Sequence, residues 1–133
     1  MFDPVINSLP AFASYFITAI VLLGVFAVLY DLITPYNELA LIRDGNTAAA
    51  VTLGGAVLGF ALPIAVSVAV SHNLYAMIGW AVVAGIVQLL VYVAARLALP
   101  RINEAIPQDK LASGIFLASL SLGVGILNAG CII

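Results

Sequence analysis

The 133-residue chain is 65% hydrophobic and 8% charged, with a mean hydropathy of +1.24. Soluble domains run nearer ~45–50% apolar and ~25% charged, so in water this composition would expose apolar surface over much of the exterior. The bilayer is the solvent it fits, and an integral membrane protein is expected. A net charge of −2 gives no footing to a nucleic-acid partner. The single cysteine, Cys131, excludes an intrachain disulfide and, lying in the last apolar run, is expected as a packed thiol.

In chain order, residues 1–10 (MFDPVINSLP) read as a short tail with one acid, two prolines and no basic residue. A secretory signal starts positively charged; this start is acidic, so the run Ala11–Tyr30 is expected to stay as the first helix. Three further apolar runs follow, Thr47–Ser71, Leu74–Ala95 and Leu111–Ile133, none containing Asp, Glu, Lys or Arg. At ~1.5 Å rise per residue each can cross a ~30 Å hydrocarbon core. They are continuously apolar without period-two alternation, so helices are predicted rather than barrel strands. The expected fold is an all-α bundle of four transmembrane helices in a single membrane domain, residues 1–133.

The basic residues set the orientation. Arg43 lies in the first loop, and Arg96, Arg101 and Lys110 border or occupy the third, whereas the turn Ser71–Asn73 with His72 and both chain ends carry no Lys or Arg. The positive-inside rule places the two basic loops in the cytoplasm and both termini outside. Tyr75 and Trp80 suit the outer membrane interface, and Tyr30, Tyr36 and Tyr92 the inner one.

The stretch Asn37–Gly59 has a weaker copy at Asn103–Gly123. Asn37-Glu38 aligns with Asn103-Glu104 at an offset of 66, while Ala48–Val51, Gly55 and Leu58-Gly59 align with Ala112–Ile115, Ser119 and Leu122-Gly123 at an offset of 64. Each unit (about 11–71 and 74–133) is then helix, loop, helix. Two spans per unit give both copies the same orientation, a tandem parallel repeat of two hairpins. Gly55-x-x-x-Gly59 and Ser119-x-x-x-Gly123 are expected to be packing faces, within or between subunits, because small residues let membrane helices approach closely. Pro63 has no counterpart in the fourth helix.

Polar groups inside membrane helices are the first candidates for function. Asp31 and Arg96 stand at matching inner ends of helices one and three, where they either form an ion pair or, the favoured reading, snorkel separately to the headgroups. Gln88, Tyr92 and Arg96 recur every four residues, and with Asn128 they either line a polar path or bond to a neighbouring helix, the latter being favoured. In the first loop, Asn37–Asp44 can form a short amphipathic helix with Leu39, Leu41 and Ile42 at the interface and Glu38, Arg43 and Asp44 in water. Gly45-Asn46 then makes a turn and Thr47 caps the second helix. Glu38 and Glu104 could converge on a cation, although solvated loop acids are the favoured reading. His72 lies alone, so neither a metal site nor a proton switch is expected there. No catalytic motif appears, and one histidine with six acids builds few acid–base constellations. No enzyme activity and no cofactor or metal are expected.

NELALIRDGNTAAAVTLGGAVLGFALP, residues 37–63, resembles the signature of the YjfL-like family of small bacterial inner-membrane proteins, grouped as a domain of unknown function. The resemblance spans the chain and carries Asn37, Glu38, Leu41, Ile42, Arg43, Gly45, Asn46 and Ala48–Ala50 onto the family pattern. In the second copy Pro107-Gln108-Asp109-Lys110 replaces the Arg-x-Gly-Asn core, so a function tied to that core is expected in the first loop. The resemblance implies a plasma-membrane location, no established catalysis, and gene neighbours of the membrane-stress and ligase-like kinds. The expected function is a non-enzymatic, self-associating scaffold that docks a cytoplasmic protein in envelope maintenance or membrane stress. The alternative is a subunit of a small-solute or ion channel or transporter, with a membrane-acting enzyme a distant third.

Overall fold

Asparagines cap the starts of three helices, and a proline follows the end of the first. The computed structural model describes residues 3–133, which contain six helices and no strand. Helix α1 (Asp3–Ile33) starts earlier than expected: Asp3–Pro10 is helical rather than a loose tail, and Met1 and Phe2 lie outside the described residues. Pro4 falls in the first turn, where the missing N–H has no intrahelical partner to lose. At ~1.5 Å per residue, 31 residues span ~46 Å, more than a ~30 Å hydrocarbon core requires. The helix stops one residue before Thr34-Pro35, because the residue preceding a proline is driven out of the α region.

Helix α2 (Glu38–Arg43) is the short helix expected in the first loop, capped by Asn37 Oδ1 accepting from Ala40 N–H at 3.1 Å. Gly45 turns the chain at φ +87°, in the left-handed region. Helix α3 (Thr47–Val70) is capped not by Thr47 but by Asn46, whose backbone is extended and whose Oδ1 accepts from Ala49 N–H at 2.8 Å. Thr47 is already the first helical residue. After a turn at Ser71–Asn73 come α4 (Leu74–Ala98), capped by Asn73, then the single turn α5 (Ile102–Ala105), then α6 (Leu111–Ile132). Helices α1, α3, α4 and α6 are each long and apolar enough to span a membrane.

The tightest pairing is α3 against α6. A Cβ built on Gly55 would meet Ala118 Cα at 2.5 Å, one on Gly114 would meet the Ala48 carbonyl at 2.8 Å, and one on Gly125 would run into the Gly59 backbone. Such approach gives α3 and α6 a wide area of dispersion contact, the main attraction available between helices in lipid. Pro63, which has no N–H to offer the Gly59 carbonyl, leaves that oxygen facing the Gly125 backbone.

Gly55 and Gly59 therefore pack within the subunit, whereas Ser119 and Gly123, the other small-residue pair, do not. Both are exposed, and a Cβ on Gly123 would touch nothing within 4 Å. The packed face of α6 is Gly114, Ala118, Ser121 and Gly125. Ser121 and Gly125 lie two residues beyond that pair, and two residues turn a helix by ~200°. Ser119 and Gly123 thus lie on the opposite side of α6. Cys131 is likewise exposed rather than packed.

Helix α1 joins the bundle through aromatic rings. Phe26 packs on Phe60 of α3 (centroids 4.5 Å apart) and Tyr30 meets Tyr92 of α4 edge-on at 5.8 Å. Gly85 makes room for Phe60, whose ring would lie 3.3 Å from a Cβ there. Phe26 and Tyr30 are the only buried residues of α1. Its N-terminal half stands away from α3, and an apolar groove of about 620 Å³ lined by Phe12, Tyr15, Phe16, Ile64 and Val68 runs between them.

Candidate functional site

The polar loops gather at one end of the bundle and are fastened to each other. Asn46 Nδ2 donates to the carbonyls of Ile106 (3.0 Å) and Pro107 (3.2 Å), while its Oδ1 caps α3. In return Asp109 Oδ1 accepts from Ala48 N–H at 2.8 Å, so a residue sixty-one positions away satisfies a second orphan donor of the same helix. Asp109 holds φ +58° to do so. Asparagine tolerates one such exchange easily, because its amide both donates and accepts. Arg43, Asp44, Glu104, Gln108 and Lys110 are exposed around this clasp. Arg43 and Gly45 of the expected loop motif are thus at the surface, whereas Asn46 is buried and structural.

Behind the clasp lies the least expected feature, the burial of Glu38. The side chain read as solvated is 1% exposed, and neither carboxyl oxygen has a hydrogen-bond partner. Glu38 is the first residue of α2 and is buried, whereas its neighbour Leu39 is exposed. Its backbone N–H donates to Asp31 Oδ1 at 3.2 Å. Burial, and then the neighbouring Asp31 charge, push the Glu38 carboxyl up to about 8. Glu104, its expected partner, is exposed, so the two glutamates do not form a carboxylate pair.

Three tyrosines close over Glu38. Tyr30 is 1% and Tyr92 2% exposed, so neither anchors the interface as expected; Tyr36 is half-buried. The Tyr30 and Tyr36 hydroxyls are buried without a hydrogen-bond partner. Tyr36 is held far above its ordinary titration range, by burial first and then by the charge of Glu38. The Tyr92 hydroxyl instead donates to Asn103 Oδ1, tying α4 to α5. A small cavity of about 150 Å³ reaches Asp31 and Glu38 between the apolar walls of Val28, Leu32, Leu39 and Leu53.

The other candidates separate. Asp31 engages the Glu38 backbone while Arg96 is exposed, and the two make no ion pair among the described residues. Gln88 and Asn128 come together in the bundle centre and act as stitches. Gln88 Nε2 donates to the Ser121 carbonyl at 3.0 Å, and Asn128 Nδ2 to the Ala84 carbonyl at 3.1 Å and Gln88 Oε1 at 3.4 Å. Tyr92 lies apart from them, at the loop end. His72 is exposed in its turn. No group of three or more His, Cys, Asp or Glu that could hold a metal occurs among the described residues.

Sequence reasoning missed the clasp and the burial of Glu38. The clasp rests on asparagine and aspartate in irregular backbone, for which no periodicity exists. Three tyrosines near two acids at one end of the chain's spans were the available signal for the second.

Comparison with known proteins agrees with this architecture. The chain is 34% identical over 127 residues to the UPF0719 inner membrane protein YjfL of Escherichia coli (strain K12), covering 96% of each chain. It is 31% identical over 125 residues to the UPF0719 transmembrane protein YshE of Bacillus subtilis (strain 168), covering 92% of this chain and 93% of that one. No solved structure matches. The profile of the Domain of Unknown Function (DUF350) matches residues 4–132, and with four membrane-length helices the chain belongs to this family of multi-pass inner-membrane proteins.

Proposed function

We propose that the protein is a non-enzymatic, self-associating scaffold that presents a rigid polar platform to a cytoplasmic protein partner in envelope maintenance or membrane stress. The observation that carries this reading is the clasp: Asn46 and Asp109 lock two loops into one surface. A docking surface gains affinity by being pre-organised. The exposed charges around it are of mixed sign, Arg43 and Lys110 beside Asp44 and Glu104, which suits a protein partner better than an anionic lipid surface. Four basic residues at this end and none at the other support a cytoplasmic platform with both termini outside.

Ala48, Thr52, Gly55 and Gly59 of α3 and Gly114, Ala118, Ser121 and Gly125 of α6 are all buried and are separated pairwise by 66 residues. Asn37-Glu38 and Asn103-Glu104 are separated by the same interval. One shared offset supports a tandem parallel repeat better than the mixed offsets of the sequence reading. The exposed small residues Ser119 and Gly123, one turn apart on α6, support self-association, since a second copy could approach closely there. For the rival reading, a small-solute or ion channel, the bundle centre is poorly suited: Gln88 and Asn128 spend their donors on backbone carbonyls.

Photo-crosslinking residues placed in cells at Arg43 and at Glu104 test the platform, with lipid-facing Ile126 as control. One discrete protein adduct from both loop positions, lost in Asn46→Ala at equal membrane content, is expected. Adducts that ignore Asn46→Ala, or solute flux in proteoliposomes abolished by Gln88→Leu, would overturn the scaffold reading.

A further inference from the structure

A carboxylate removed from water needs a counter-charge or hydrogen bonds, and an isolated one is among the costliest groups to bury. Glu38 has neither among the described residues. Four oxygens of one neighbourhood share this condition: Glu38 Oε1 and Oε2, the Tyr30 hydroxyl and the Tyr36 hydroxyl. Glu38 couples electrostatically to both tyrosines, yet none of the four oxygens makes a hydrogen bond to another.

No basic side chain neutralises Glu38 itself: its charged neighbour is Asp31. Helix α1 contributes Asp31 and Tyr30, the loop contributes Tyr36, and α4 contributes Tyr92 with exposed Arg96 one turn further on. Helix α5 contributes Asn103, whose side-chain oxygen is taken by Tyr92, and α3 contributes apolar Leu53. Asp31 is half-buried, and its Oδ1 accepts from the Glu38 N–H. A cavity of about 150 Å³ lies beside Asp31 and Glu38, on the side of α1 and α2.

We propose that Glu38, Tyr30 and Tyr36 form a binding site for one small monovalent cation, ligated by the Glu38 carboxylate and the two tyrosine hydroxyl oxygens and exchanging with the Glu38 proton. One positive charge replaces another, so the buried charge stays balanced in both states. Hard oxygen donors select a hard cation, and the absence of a third acidic, His or Cys ligand among the described residues argues against a multivalent one. The site is independent of the docking platform, and its test does not involve a protein partner.

The test is thermal unfolding of the full chain in detergent, followed by circular dichroism. NaCl and KCl are titrated against N-methylglucamine chloride at constant ionic strength. At pH 9 at least one alkali chloride is expected to raise Tm saturably. Because the proton competes at a group that titrates at about 8, the half-saturating concentration should rise about 90-fold between pH 9 and pH 6. Glu38→Gln should abolish the cation dependence. Tyr36→Phe, which keeps the ring and removes one ligand, should raise the half-saturating concentration several-fold, and it decides the matter if Glu38→Gln does not fold. Equal Tm in all three salts at pH 9, a shift that survives Glu38→Gln, an unchanged midpoint in Tyr36→Phe, or stabilisation by Mg²⁺ or Ca²⁺ alone would each overturn the proposal.

Discussion

Replacing Glu38 with glutamine, measured without alkali cations, tests the burial of this carboxyl directly. In the folded chain Glu38 titrates at about 8, against an ordinary value of 4.5. An acid raised in this way gives its full contribution below pH 4.5, where both states hold the proton. The contribution is then lost as pH rises through 8, because the unfolded chain ionises first. The slope across that window is ~1.4 kcal/mol per pH unit, and its integral is on the order of 5 kcal/mol. That figure is a ceiling, since local opening can admit water to the ionised group. Glutamine preserves the volume and cannot ionise, so the variant's stability should be flat over the same range and exceed wild type above pH 8. Reversible unfolding in mixed micelles at half-unit steps from pH 4 to pH 9, in N-methylglucamine buffers, reads both curves. A wild-type profile as flat as the variant's would refute the reasoning, as would a parallel slope in the two proteins.

The packing face makes a paired prediction. Gly125→Ala should cost about 2 kcal/mol or more through overpacking against Gly59, whereas Gly123→Ala, meeting nothing, should stay within about 0.5 kcal/mol of wild type in the same unfolding assay. Asn46→Ala removes two cross-loop bonds and a helix cap at once; a loss of about 2–3 kcal/mol is expected. Hydrogen exchange should then accelerate at residues 46–49 and 106–110 but not in α4. Gln88→Leu should cost about 1–3 kcal/mol, by removing the bond to the Ser121 carbonyl and the acceptor for Asn128, without changing the oligomeric state seen by crosslinking. For topology, with Cys131→Ser as background, a cysteine at exposed Asp44 should be labelled only from the cytoplasmic side and one at Ser8 only from outside.

What was legible in the sequence was whatever the bilayer itself dictates. The four spans follow from uncharged runs of sufficient length, and α3 and α4 both begin at the asparagines that end their preceding turns. The rotation of each helix was not legible. In a soluble protein one apolar stripe marks the buried face, but in lipid both faces are apolar and the contrast is lost. Helix α6 has small residues on every side, so Ser119/Gly123 and Ser121/Gly125 are equally good small-x-x-x-small pairs on paper. What chooses between them is the shape of α3, where Gly59 lies one turn before Pro63. The same holds for α1. Its sequence shows two prolines near the start, yet nothing there signals that Asp3–Pro10 would continue as helix.

The misreading of Glu38 has a different origin. A glutamate in a short loop helix among Leu39, Arg43 and Asp44 reads as the wet side of an amphipathic turn, because a six-residue window cannot distinguish which polar position faces inward. The fold decides it through distant residues: Tyr92 tied to Asn103, Tyr30 edge-on to Tyr92, and Asp31 reaching the Glu38 backbone. These contacts come from α1, α4 and α5, and they enclose the carboxyl only when the first and third loops lie at the same end of the bundle. Read together, Tyr30, Tyr36 and Tyr92 are then something other than interface anchors. An anchoring tyrosine keeps its hydroxyl among the headgroups, whereas two of these hydroxyls are buried unpartnered beside an equally unpartnered carboxyl. Oxygen atoms so placed cost stability unless something satisfies them, and the proposed cation site names the ligand whose binding the salt titration measures.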